Sequence, residues 1–146
     1  MSSPFRRLTD RVFASPQISL ADVAEAARAG FGLIINNRPE DESDDQTPGA
    51  EIEAAAKAAG LAYVAIPVTH AGFSQPQIAA MALALASTDK PVLAYCRSGT
   101  RSTLLWALAG ASCGVSPHSL SASASQAGYD LSPVRAMLDM LAAQER

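Results

Sequence analysis

Short apolar runs rich in β-branched residues alternate with alanine-rich stretches, and this alternation constrains the chain more than any other feature. FGLIIN (31–36), LAYVAIPV (61–68) and PVLAYC (91–96) carry continuous hydrophobic character over four to eight residues, the pattern of strands buried on both faces of a parallel sheet. Between them lie LADVAEAARA (20–29), AEIEAAAKAA (50–59) and QIAAMALALAS (77–87), built from strong helix formers. Ser19 and Ser74 stand where N-caps are expected, and Gly30 and Gly60 where helices should close. Ser116-Pro117 and Ser132-Pro133 repeat the cap-then-proline signature further on. RVFASPQI (11–18) reads as a short extended segment interrupted by Pro16, hence an edge strand or arm.

The order β, α, β, α, β, α, β followed by helices predicts an α/β fold. We expect a mostly parallel sheet of four to five strands flanked by helices, within a single domain over 1–146. A chain of 146 residues is one average domain, and 49% hydrophobic residues are enough to fill its core. Net charge −3 and a pI near 5.2 offer no basic surface for nucleic acid. No apolar run reaches membrane-spanning length, and the first sixteen residues lack the apolar core of a signal peptide. Two cysteines, Cys96 and Cys113, are too few for a disulfide-stapled scaffold, so a cytoplasmic setting is expected.

Ligands of open parallel sheets bind at the carboxyl ends of strands, where helix N-termini also point. One junction of that kind carries a nucleophile: Cys96-Arg97-Ser98-Gly99-Thr100-Arg101-Ser102. A cysteine closing a buried strand is ordinarily core filler. Here a polar run with two arginines follows directly, so the cysteine is expected at a turn lined with backbone N–H groups. Such a ring, with the dipole of the following helix, favours a thiolate over the free thiol and cradles an anionic substrate. Gly99 provides the left-handed backbone such a turn needs, and Arg101 a two-pronged guanidinium for an oxyanion. Ser102 is expected to donate its hydroxyl to the sulfur, and Arg97 to add a second positive charge beside it. A non-catalytic anion- or partner-binding loop is the remaining reading of these residues alone.

Beyond that junction, QIS (17–19), GFGLIINNRPEDE (30–42), IPV (66–68) and AYCRSGTRSTLLWAL (94–108) resemble one small bacterial family, over about residues 9–115. It is the phosphatase-like domain of β-lactamase-hydrolase-like proteins, also called a sulfur transferase family. The cysteine-loop-arginine element is similar to that of protein tyrosine and dual-specificity phosphatases, and equally to that of rhodaneses. The resemblance implies a protein-tyrosine-phosphatase-like fold and a setting beside persulfide dioxygenases and other sulfide-oxidising enzymes.

Loop length separates these chemistries. Phosphatases of this type leave five residues between cysteine and arginine, whereas four lie between Cys96 and Arg101. The resulting six-residue loop is the rhodanese size, tight for a phosphoryl group and sufficient for the terminal sulfur of a persulfide. The second discriminator is the general acid, an aspartate in phosphatases. PVTHAGFS (67–74) contains no Asp or Glu, and His70 is its one titratable group, facing solvent unless recruited. The acidic run Glu40, Asp41, Glu42, Asp44, Asp45 reads as a solvated turn that could otherwise lend an acid. Arg38 either reaches the mouth of the pocket or pairs with that turn.

These features lead to an expected sulfurtransferase that moves sulfane sulfur through a persulfide on Cys96. Its donor would be thiosulfate or glutathione persulfide, its acceptor a thiol or sulfite, with a persulfide dioxygenase or sulfide-oxidising enzyme as partner. Cys96 and Arg101 would act on the sulfur, with Arg97, Ser98, Gly99, Thr100, Ser102, Arg38 and His70 binding substrate. No metal or cofactor is expected, since His70 and His118 lie apart without ligand spacing. The rival is a phosphatase-like hydrolase working through a phosphocysteine. Cys113, at the far end of the following helix, is expected in the core and too distant from Cys96, at about 1.5 Å per residue, to resolve a persulfide. Trp106 with Leu104, Leu105 and Leu108 reads as that helix's core stripe.

Overall fold

The computed structural model describes residues 4–145, and side chains as far as 144; the opening of the segment judged free of a leader, residues 1–3, lies outside it. Among the described residues five strands form one sheet: β1 (Arg6–Arg7), β2 (Val12–Ser15), β3 (Leu33–Asn36), β4 (Ala62–Ala65) and β5 (Val92–Tyr95), in the order β1-β2-β5-β3-β4. All pairings are parallel except that of β1 with β2. The expectation for 11–18 needs correction. β2 is an interior strand between β1 and β5, because its run ends at Ser15, one residue before the ring of Pro16 would interrupt the ladder. The two-residue β1 takes the edge instead, and β4 closes the other side with half its residues exposed.

β3 and β5 are buried along their whole length, which is why their sequences are apolar in continuous runs rather than at alternate positions, with the buried Asn36 ending β3. Their side chains divide two cores. On one face Ile34, Leu93 and Tyr95 pack with Ile18, Val23, Ala26, Ile52 and Ala56, so α1 (Leu20–Arg28) and α2 (Gly49–Ala58) cover it. On the other, Leu33, Ile35, Val92 and Ala94 meet α3 (Gln75–Leu85), α4 (Thr100–Ser112), α5 (Pro117–Gln126) and α6 (Arg135–Glu145).

The caps expected at Ser19, Ser74 and Ser116 are present, whereas Ser132 is the first residue of a 3-10 turn rather than a cap. Ser19 accepts from the Asp22 N–H at 3.1 Å while Asp22 accepts from the Ser19 N–H at 2.8 Å, a reciprocal capping box. Ser74 and Gln77 repeat it at the start of α3, and Ser116 caps α5. At Ser132-Pro133 a 3-10 turn precedes α6, and the capping acceptor is the Asp130 carboxylate, at 2.9 Å from the Ser132 N–H.

α4 positions the cysteine junction. Residues 102–109 are all buried, so the apolar stripe expected around Trp106 is in fact the whole circumference of the helix. It lies between the sheet and α3, α5 and α6. Truncating Leu105 or Leu108, both fully buried, would cost about 2–5 kcal/mol. Cys113 also departs from expectation. α4 ends at Ser112, Cys113 is its C-cap, and the thiol is exposed rather than in the core.

Candidate functional site

β5 ends at Tyr95 and α4 begins at Thr100, leaving Cys96–Gly99 to make the turn at the centre of the sheet's carboxyl edge. The Cys96 N–H donates to Ser15 O at 3.3 Å and the Asn37 N–H to Tyr95 O at 2.8 Å. These bonds fasten the turn to the strand ends on either side. Gly99 is the N-cap, with φ +93°, a conformation that side chains rarely adopt. Its N–H donates to Cys96 Sγ at 3.1 Å, and Thr103 in turn donates its N–H and hydroxyl to Gly99 O, at 3.0 and 2.8 Å. Cys96 is fully buried. Its sulfur thus sits under a backbone amide at the positive end of a thirteen-residue helix, a setting that stabilises negative charge on sulfur.

Arg101 turns back toward the loop mouth. One terminal nitrogen donates to Glu42 Oε2 and to Val68 O, both at 2.7 Å, and the other to Glu42 Oε1 at 2.9 Å. Its guanidinium is raised above the ordinary range, first by the bond to Glu42 and also by the Cys96 sulfur nearby. Glu42 in turn receives Arg38 Nε at 3.0 Å. Arg38 is only 4% exposed, and its other nitrogens donate to Gln17 Oε1 at 2.8 Å and Ser43 Oγ at 3.1 Å. Held between two arginines, the Glu42 carboxyl falls to about 2, with the Arg101 hydrogen bond the largest cause.

The acidic stretch is therefore solvated at Glu40, Asp41, Asp44 and Asp45, as expected, but not at Glu42, which is half-buried. Glu40 accepts the Gly49 N–H at 2.9 Å at the start of α2, and Glu42 joins Arg38 to Arg101. Sequence reasoning passed over Glu42 as a site residue; the spacing of four from Arg38 was the available signal. Of the two expectations for Arg38, the pairing with the turn is the one observed: its nitrogens are engaged by Glu42, Gln17 and Ser43, and through Glu42 it braces Arg101.

The INNRP stretch places the remaining wall. The Arg38 N–H donates to Asn36 Oδ1 at 2.9 Å, Asn37 Nδ2 to Ile66 O at 2.9 Å, and the Val68 N–H to Asn37 O at 2.9 Å. They fix the segment whose Val68 carbonyl receives Arg101.

Other expected residues fall differently. Ser102 Oγ is buried and has no hydrogen-bond partner among the described residues, so the expected bond to the Cys96 sulfur is absent. The Arg97 side chain is exposed, while its backbone carbonyl accepts the Gln17 N–H at 3.2 Å. Ser98 and Thr100 are exposed, and Ser98 Oγ donates to Thr100 Oγ1 at 3.0 Å. His70 is exposed on the loop after β4, two residues past Val68.

Residues 4–113 match the family model described as "Beta-lactamase hydrolase-like protein, phosphatase-like domain". The chain belongs to this family. Among relatives, the Beta-lactamase hydrolase-like protein of Xylella fastidiosa (strain Temecula1) is 40% identical over 102 residues, 69% of this chain and 23% of that protein. The Agrobacterium fabrum protein of the same name is 34% identical over 102 residues, 70% of this chain and 24% of that protein. The chain thus spans about a quarter of the length of these relatives. Among solved structures, a putative phosphatase from Neisseria meningitidis Z2491 superposes with a TM-score of 0.83 at 31% identity, over 96% of this chain and 99% of that one. Tk-PTP in its active form superposes with a TM-score of 0.77 at 17% identity, over 99% of both chains, which establishes the protein-tyrosine-phosphatase-like fold. The residues matched by the family model end at the C-terminus of α4, so α5, α6 and Tyr129 between them follow that match, while the superposed structures extend over them.

Proposed function

We propose that this phosphatase-like domain is a cysteine-dependent hydrolase of phosphate monoesters, acting through a phosphocysteine on Cys96. The observation that carries this reading is the placement of Cys96 Sγ under the Gly99 N–H at the head of α4, with Arg101 folded back over the same loop. The wider support is a phosphatase-like family and a putative phosphatase similar over nearly the whole chain.

In the first step the Cys96 thiolate attacks phosphorus, the bond to the leaving oxygen breaks, and that oxygen departs with the electron pair. In the second, water attacks phosphorus, the sulfur–phosphorus bond breaks, and inorganic phosphate leaves the restored thiolate. The amides of 97–101 and the charge of Arg101 offset the negative charge that builds on the transferring oxygens. Glu42, ionised above about pH 2, has no proton to give at neutral pH. Leaving groups that depart unprotonated, such as phenolates, are therefore the substrates of choice.

That same observation, together with the six-residue loop, favours a second reading: sulfane-sulfur transfer from thiosulfate or glutathione persulfide to a thiol or sulfite. Here the thiolate attacks the outer donor sulfur, the donor's S–S bond breaks, and sulfite or glutathione thiolate leaves with the pair. Such a leaving group needs little protonation. The test sets p-nitrophenyl phosphate hydrolysis beside thiocyanate formation from thiosulfate and cyanide, for the wild type and Cys96→Ser. Cys96-dependent phosphate release is expected; thiocyanate without phosphate would put the second reading first.

A further inference from the structure

We propose that Tyr129 is a positioning residue for the nucleophile: its hydroxyl holds the Ser98–Gly99 peptide group in the orientation that aims the Gly99 N–H at Cys96 Sγ. This rests on the reading of Cys96 as the nucleophile and does not depend on which group the sulfur transfers.

The geometry is that of one amide held at both ends. Tyr129 Oη donates to the Ser98 carbonyl at 3.2 Å, and the N–H of the same peptide unit, on Gly99, donates to Cys96 Sγ at 3.1 Å. A peptide group is planar, so fixing the direction of its C=O fixes that of its N–H. The glycine that permits this orientation also leaves the peptide free to rotate to others at little cost, and the tyrosine supplies the restraint. A hydrogen bond to the carbonyl also polarises the amide and strengthens its N–H as a donor.

The ring itself is held in place. Tyr129 packs so close to Gly99 that a side chain there would collide with its Oη. The Arg6 guanidinium lies over the ring, 5.5 Å from its centroid, and donates to Ala127 O at 3.3 Å. Burial raises the phenol above its ordinary value, so it remains a proton-bearing donor at neutral pH. The turn after α5, which follows the residues matched by the family model, thus reaches the cysteine loop.

Tyr129→Phe removes the hydroxyl and keeps the ring, its contact with Arg6 and its packing on Gly99. The experiment follows the pH dependence of iodoacetamide alkylation at Cys96 by peptide mass mapping, which separates Cys96 from the exposed Cys113. Y129F is expected to move the alkylation midpoint up by about one pH unit, a roughly tenfold loss of thiolate below the midpoint. The acid limb of kcat/KM should move by the same amount. A merely structural role would lower the melting temperature without moving either. As a second measurement, the Gly99 amide proton resonance should respond to Cys96 ionisation in the wild type and less so in Y129F. An unchanged midpoint in folded Y129F would overturn the inference and leave the phosphatase reading intact. A moved midpoint in a protein that hydrolyses no phosphate ester would do the reverse.

Discussion

Arg101 and Glu42 meet in a two-pronged ion pair, 2.7 and 2.9 Å, across the mouth of the cysteine loop. The guanidinium expected to receive a substrate oxyanion is thus occupied by one of the protein's own carboxylates. Any anion entering the loop must share Arg101 with Glu42 or displace it.

Removing the carboxylate should therefore tighten anion binding. Glu42→Gln withdraws a negative charge from beside the loop and breaks the two-pronged ion pair with Arg101, whose bond to Val68 O remains. Inorganic phosphate titrated calorimetrically into E42Q is expected to bind about tenfold more tightly than to the wild type, some 1.4 kcal/mol. Equal or weaker binding would show that Glu42 orients Arg101 rather than competing for it.

The same variant carries a pH signature. The folded carboxyl lies near 2, below its ordinary 4.5, so its contribution to stability is full above about pH 4.5 and is lost as the pH falls toward 2. The pair is partly open to solvent, with both side chains 16–17% exposed, so the full value of the shift is not expected. Urea denaturation should find E42Q less stable by about 2 kcal/mol at pH 7. That gap should narrow clearly at pH 3. A constant gap would mean that the loss comes from packing.

Arg101→Lys keeps the charge and loses the fork. Because oxyanion recognition here depends on two parallel donors, kcat/KM for an aryl phosphate should fall by about a hundredfold, with Glu42 still paired to Arg38. A fall of less than threefold would remove Arg101 from the proposed role.

Gly99→Ala should damage the loop rather than the core. Its φ of +93° is unfavourable for alanine, and the added methyl would strike Tyr129 Oη. A cost of about 1–3 kcal/mol is expected, together with slower alkylation of Cys96 at neutral pH. In contrast, Cys113→Ser, at an exposed helix end, should leave stability within about 0.5 kcal/mol and turnover unchanged.

The strands were legible because burial on both faces gives continuous apolar runs, as in Leu33–Ile35 and Val92–Tyr95. The nucleophile was legible because its polar loop breaks an apolar run. Glu42 was not, since an acidic turn has the same composition whether it faces water or a guanidinium brought from 59 residues away. Ser102 was misjudged for a related reason: a seven-residue motif does not show that its hydroxyl is buried and unpaired. β2 was taken for an edge because Pro16 was weighed without the register that ends the strand at Ser15.

Intact mass of acid-quenched enzyme, taken during turnover of p-nitrophenyl phosphate and separately after thiosulfate, tests the central claim most directly. The account predicts a mass increase of one phosphoryl group, localised to Cys96 and absent from Cys96→Ser. No phosphoryl adduct at any quench time, with a single added sulfur on Cys96 after thiosulfate, would contradict it.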